Sequence, residues 1–318
     1  MMHAETKSLT SPRRQGRISA ALRKILRHWQ LYAIIALPVL QLAIFKYQPM
    51  YGAQIAFKKY SVRKGIEGSS WVGMQHFERF FGSPDAISII TNTLTLSLYT
   101  LIASLPLAIL MAVALNEVPG RRFKKTVQMV TYAPYFISTV VLVSMLQQFL
   151  DSRIGIIAIL MRYAGIELGN VMGNPGAFKH LYVWSGIWQT NGYNAIIYLA
   201  ALSGISPELQ EAAVVDGCTR LKRIWHVDLP CIRPTIVTLL IINMGSVMNV
   251  GFEKVFLMQN PAILSASEII STYVYRIGLL QSDYSYSTAI GLFNSVVNMV
   301  LMLTVNFIAK RISDTGLW

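Results

Sequence analysis

Six stretches of this chain carry no Asp, Glu, Lys or Arg and are long enough to leave water: 28–45, 94–116, 126–150, 181–205, 235–252 and 284–309. A helix needs about 20 mostly apolar residues to cross a hydrocarbon layer of ~30 Å. Inside that layer every backbone amide must find its partner within the segment, so a run of this kind folds as a helix. The pattern therefore predicts an all-α, polytopic membrane protein with six transmembrane helices. A shorter apolar run, 154–161, cannot cross and reads as an interfacial or loop-capping helix. Composition agrees: 53% of the residues are hydrophobic and 14% charged, against about 25% charged in an average soluble domain.

The formal net charge of +13 would suggest nucleic acid in a charge-dense soluble chain, but here few charges carry it. Topology accounts for it better, because short cytoplasmic loops collect Lys and Arg. With the N-terminus inside, segments 1–29, 117–125, 204–234 and 310–318 hold seventeen of the 28 basic residues, and the opposite segments 55–85, 151–180 and 258–287 hold nine. The expected orientation is N-in, C-in. Segment 1–29 reads as a basic cytosolic tail, with Ile18, Leu22, Ile25, Leu26 and Trp29 as an apolar stripe for the headgroup layer. Residues 30–318 form the transmembrane domain. Cys218 and Cys231 share cytosolic segment 204–234, where thiols stay reduced, so no disulfide is expected and no metal site is implied.

Segment 204–234 is the most informative. Ser206 suits an N-cap, Pro207 the first helical position and Glu208 the positive helix end. A helix over 207–216 would stop at Gly217. Leu221, Ile224 and Trp225 then recur at helical spacing, and Pro230 and Pro234 end the segment before the fifth span. Two short helices at a bend are expected, with Ala212 and Ala213 small enough to let another protein approach closely.

Glu211, Ala212, Ala213, Gly217, Leu229 and Pro230 fall at six fixed positions of a 20-residue pattern, Glu-Ala-Ala, three residues, Gly, nine residues, Ile, one residue, Leu-Pro. The segment resembles the EAA loop of permease subunits in binding-protein-dependent ABC importers, departing only at Val227, where Ile is usual. The resemblance implies a coupling helix seated in a cleft of an ATPase, with Glu211, Ala212, Ala213, Asp216 and Gly217 as docking residues. It implies further partners: a homologous second permease subunit, a cytosolic ATPase dimer that binds ATP and Mg, and a periplasmic or extracellular substrate-binding protein. The chain itself has no G-x-x-x-x-G-K-[ST] loop, so it is expected to be a transport subunit without cofactor or ATPase site, in a bacterial inner membrane. FKYQPMYGAQIAFKKYS, WVGMQHFERFF, GFEKVFLMQNP and STYVYRIGLL are similar to the carbohydrate-uptake branch, and within it to permeases for complex, often acidic oligosaccharides such as alginate.

Polar and aromatic side chains inside spans are expensive unless they face a cavity or another helix. The candidate substrate-path residues are Trp188, Tyr193, Asn194, Asn249 and Glu253, the last read as a structural or gating pair with Lys254. Competing readings are an aromatic belt at the membrane surface and Asn as glue between helices. Asn243 and Asn249 stand six residues apart, roughly 120° around a helix, and so need not share one cavity. Periplasmic segments 55–85, with Lys58, Lys59, Arg63 and Lys64, and 258–287 are expected to meet the binding protein. An ion-coupled secondary transporter is the alternative, but it would need ionisable groups near the midplane. A membrane-embedded enzyme would need clustered carboxylates or histidines, and the five histidines are scattered.

Overall fold

The structure, a computed structural model, describes residues 27–167 and 169–313. Nearly all of the basic tail 1–29, including its apolar stripe from Ile18 to Leu26, lies outside the described residues. The chain divides into two compact units between Gln54 and Ile55. In the first, helix α1 (Trp29–Leu42) contains Pro38 and continues through a π turn at Ala43–Tyr47. No side chain of α1 is buried, and Ile34 and Leu37 are among its most open residues.

The second unit opens with a two-stranded antiparallel hairpin, β1 (Lys58–Ser61) and β2 (Gly65–Trp71). This corrects the all-α expectation: the fold is mostly helical, with one hairpin in segment 55–85. The short strands pair Lys58 with Trp71 and Lys59 with Ser70, then slip by a bulge before Ser61 meets Gly65. Gly65 takes φ +67°, a conformation open to residues without a β-carbon. Phe57 stacks on Trp71 at 5.6 Å between ring centroids.

Helices α2 (Gln75–Phe81), α3 (Asp85–Glu117), α4 (Arg121–Tyr132), α5 (Thr139–Phe149), α6 (Ile156–Tyr163) and α7 (Pro175–Ser203) follow. Then come α8 (Pro207–Val215), α9 (Arg220–Arg223), α10 (Leu229–Met244), α11 (Phe252–Met258), α12 (Leu264–Ser267), α13 (Ile270–Tyr275) and α14 (Tyr284–Ser313). Among the described residues, four helical runs are long and apolar enough to cross a membrane: Trp29–Phe57, Asp85–Glu117, Arg220–Met244 and Tyr284–Arg311. The 29 residues of α7 are long enough by count, but its Trp, Gln and Asn side chains keep it out of that group.

Two expected spans differ in detail. Segment 126–150 is not one straight helix. A 3-10 turn at Ala133–Phe136 interrupts it, and Arg121–Phe136 and Thr139–Phe149 meet at 95°, so the two make at most one broken span. The break lies at Ile137 and Ser138, whose extended backbone, with ψ 129° and 153°, separates the two helical runs. The fifth span, expected over 235–252, ends early at Met244; its helix starts far upstream at Arg220. The short helix expected at 154–161 is α6.

The second unit is organised along α3 and α7. Small residues Ala108, Ala112 and Ala195 are buried where α3 and α7 pack, and Leu199, Leu202 and Ile232 close around them. Small side chains allow such close approach within a membrane. At Gly192 an added methyl group would fall on the backbone carbonyl of Thr131, so α4 crosses α7 where only glycine leaves room. A second core joins Phe80, Ile89, Met248, Tyr273 and Tyr286.

Candidate functional site

The loop after α7 forms as its residue chemistry dictates. Ser206 accepts a hydrogen bond from the backbone N–H of Glu208 at 3.3 Å, and Pro207 opens α8. The helix ends on the expected glycine: Gly217 has φ +74°, its N–H donates to the Val214 carbonyl, and Cys218 N–H donates to the Ala213 carbonyl. This pair of bonds is the Schellman ending. Thr219 then caps α9.

Beyond that point the expectation needs correcting. The second helix does not end before the fifth span; Arg220–Met244 is one continuous helical run. Residues Ile224–Asp228 form a π turn, in which Leu229 N–H reaches back to the Ile224 carbonyl. The wider turn accommodates Pro230, which lies just past it and cannot donate, while Pro234 lies a turn further inside the helix.

Side-chain burial divides the loop's expected docking residues. Glu211, Ala212, Asp216 and Gly217 are exposed, whereas Ala213 is 7% exposed and packs into its own chain. The outward surface is apolar: Val214 is 59%, Val215 86%, Leu221 72% and Trp225 68% exposed. The sequence placed Leu221 and Trp225 only in a helical pattern and did not single out Val214 and Val215, although two adjacent valines at the end of a short helix were a usable signal for a docking surface. Behind this surface Arg223 forms an ion pair with Glu117 at the end of α3, and its Nε lies 3.8 Å from Asp228, which is 1% exposed.

At the far end of the same helical run the backbone unwinds. Residues 245–251, between α10 and α11, join α3 and α7 around a cavity of about 360 Å³. Irregular backbone at membrane depth is tolerated where it lines a cavity or is buried in protein. The lining contains Asn194, Asn243, Ser246 and Asn249, with Ser97, Thr100 and Ser104 from α3 and Tyr182 and Tyr198 from α7. Among the described residues no carboxylate, lysine or arginine lines it. Asn243 and Asn249 therefore share one cavity: α10 stops at Met244, so a helical wheel does not describe the segment between them.

The other candidate path residues lie apart. Trp188 borders a separate apolar cavity of about 580 Å³ with Trp184, Met145 and Phe149. Tyr193 stacks on Tyr135, with centroids 3.8 Å apart. Glu253 is exposed and makes no ion pair with Lys254. The Lys254 side chain turns inward, is 8% exposed, donates to the Tyr182 carbonyl at 2.8 Å and lies 4.8 Å from the Tyr182 ring. Gln189 and Asn191 serve as glue: Gln189 donates to the Ile137 carbonyl at 2.7 Å and Asn191 to that of Leu107 at 3.4 Å.

On the opposite side of the unit, the hairpin is fastened to the start of α14. Tyr60 N–H donates to Ser285 Oγ at 2.9 Å, and Arg79 pairs with Asp283 at 2.7 Å while lying 4.1 Å over the Tyr286 ring. Lys59, Arg63 and Lys64 remain exposed on the hairpin. Among the described residues no group of three His, Cys, Asp or Glu is placed to hold a metal ion.

Comparisons with known proteins match this arrangement. The family described as "Binding-protein-dependent transport system inner membrane component" matches residues 104–314. The polygalacturonan/rhamnogalacturonan transport system permease protein YteP of Bacillus subtilis (strain 168) is 40% identical over 297 residues, covering 93% of this chain and 92% of its own. Among solved structures, a chain of a bacterial ABC transporter involved in import of the acidic polysaccharide alginate superposes with a TM-score of 0.86 at 38% identity, covering 92% of this chain and 99% of that one. A bacterial alginate ABC transporter in complex with an alginate pentasaccharide-bound periplasmic protein gives 0.86 at 39% identity, with 93% and 99% covered.

Proposed function

Because this chain belongs to the family of binding-protein-dependent transport system inner membrane components, we propose that it forms half of the translocation path for an acidic oligosaccharide in an ATP-driven importer. It is a multi-pass inner-membrane subunit, and ATP hydrolysis belongs to a partner. The observation that carries the reading is the cavity of about 360 Å³, lined by amides and hydroxyls and placed at the end of a helix that starts in the EAA loop. Amide and hydroxyl groups suit sugar hydroxyls, and Tyr182 and Tyr198 offer faces for C–H patches. Asn194 and Asn249 are the path residues supported by this lining. Lys254, buried against the cavity-lining Tyr182, adds a positive charge that favours a carboxylate-bearing cargo.

In this assignment the chain crosses the membrane six times, N-in and C-in, with α4–α5 as a broken span and α7 as a polar one. Loop 204–234 docks into an ATPase dimer that holds ATP and Mg, through Glu211, Ala212, Asp216 and the apolar surface of Val214 and Val215. A homologous permease subunit completes the path. The exposed cations of the hairpin, together with segment 258–287, meet a substrate-binding protein on the outer side.

Co-purification tests the partners: the chain drawn from its native membrane should bring an ATPase and a second permease. Uptake of alginate oligosaccharides into proteoliposomes should then require both ATP and an external binding protein. Uptake driven by an ion gradient alone would refute the reading.

A further inference from the structure

Helix α14 reaches the unwound segment 245–251 through two side-chain amides, and one backbone group fixes which way they point. The N–H of Met248 can only donate, and it donates to Asn298 Oδ1 at 2.9 Å. The other end of the Asn298 amide is therefore Nδ2, and it donates to Asn249 Oδ1 at 3.3 Å. Asn294 Nδ2 donates to the same oxygen at 2.9 Å. The Asn249 oxygen is thus held toward α14 by two donors. Its own Nδ2, which carries two N–H groups, is left for the other side. Asn249 is exposed and lines the cavity, whereas Asn298 is 6% exposed and does not line it.

We propose that Asn298, with Asn294, is a positioning residue that turns the N–H donors of Asn249 toward the cargo, so that this point of the path selects an oxygen acceptor, foremost a uronate carboxylate. This rests on the oligosaccharide reading and adds to it which end of the Asn249 amide faces the sugar and why. An amide free to rotate would accept from a hydroxyl as readily as it donates to a carboxylate. The bonds from α14 remove that choice. An N–H donor to an ionised carboxylate makes a charge-assisted bond, roughly twice as strong as one to a neutral oxygen. This neutral donor in the lining adds to the positive charge of Lys254 behind Tyr182.

The test uses the complete importer in proteoliposomes, with the same binding protein in every arm at concentrations saturating for each saccharide. The rates kcat and KM are measured for an alginate trisaccharide and for its carboxyl-reduced counterpart. Asn298→Asp still accepts from Met248 N–H but faces the Asn249 oxygen with an acceptor. Its preference for the acidic sugar, as a ratio of kcat/KM, should fall about ten-fold, the scale of one hydrogen bond to a charged group. Transport of the reduced sugar should stay near wild type. Asn249→Ala, which removes the donors and leaves the Met248–Asn298 bond in place, should show the same loss and decides the matter if Asn298→Asp does not assemble. An unchanged ratio in either variant, or an equal fall for both sugars, overturns the proposal. A wild-type importer that takes up neither sugar overturns the oligosaccharide reading, and this proposal with it.

Discussion

Ala213 and Val215 stand two residues apart on α8 and face opposite ways, one 7% and the other 86% exposed. Substitutions at the two sites should therefore fail differently. Ala213→Phe has to displace the packing beneath α8, at a cost of about 1–3 kcal/mol for an overfilled site, read as a lowered midpoint in thermal unfolding. Val215→Asp should leave that midpoint nearly unchanged and, in the proposed docking role, abolish ATP-driven uptake. Gly217→Ala forces a β-carbon into a left-handed turn, worth about 1–2 kcal/mol. Gly217→Pro cannot adopt φ +74° at all, so it loses the turn itself rather than leaving the fold intact. The cap, the proline and the glycine of this loop were legible because each acts on backbone within two or three residues of itself. Which of the two alanines faces outward was not legible, since it depends on where the π turn at Ile224–Asp228 returns the chain.

Uncharged runs locate helices well, because the lipid tolerates little else, but they say nothing of where a helix breaks. Segment 126–150 passes every test of composition and still turns through 95° at Ile137–Ser138, and the run at 235–252 continues eight residues beyond the true end of α10. For the same reason the wheel that set Asn243 and Asn249 apart misled: it presumed helix where there is none. Polar residues within α7 could not be sorted from sequence, because glue and path use the same amides. The neighbours decide, with carbonyls from other segments claiming Gln189 and Asn191 and the cavity claiming Asn194. The crossing of α4 and α7 gives a test at this scale. Gly192→Ala has no space for its methyl group beside the Thr131 carbonyl and should destabilise the fold by about 1–3 kcal/mol. Chemical denaturation in detergent would measure it, and a neutral result would mean that the crossing is looser than described.

Across the molecule, most of the basic excess belongs to one set of segments, and Arg223 shows that some of it is structural. Its guanidinium joins the loop to Glu117 at the end of α3, beside the buried Asp228. Removing one member of a largely buried pair strands the other; for Arg223→Met the loss is on the order of 3 kcal/mol, less whatever water screens. In the reconstituted importer the same variant should raise ATP hydrolysis that occurs without uptake, since the loop would then move without α3. ATPase and uptake falling in parallel would argue against that link. The run Arg220–Met244 has a mechanical consequence as well. Its 25 residues make a rod of about 37 Å at 1.5 Å per residue. One end carries the exposed Leu221, and the other stops beside the polar cavity. In the proposed coupling role, a push on the loop would reach the cavity along a single shaft. The π turn and Pro234 interrupt its ladder, and Arg223 ties the first of them to Glu117 on α3, so in that role the stroke at the cavity depends on the stiffness of that short stretch.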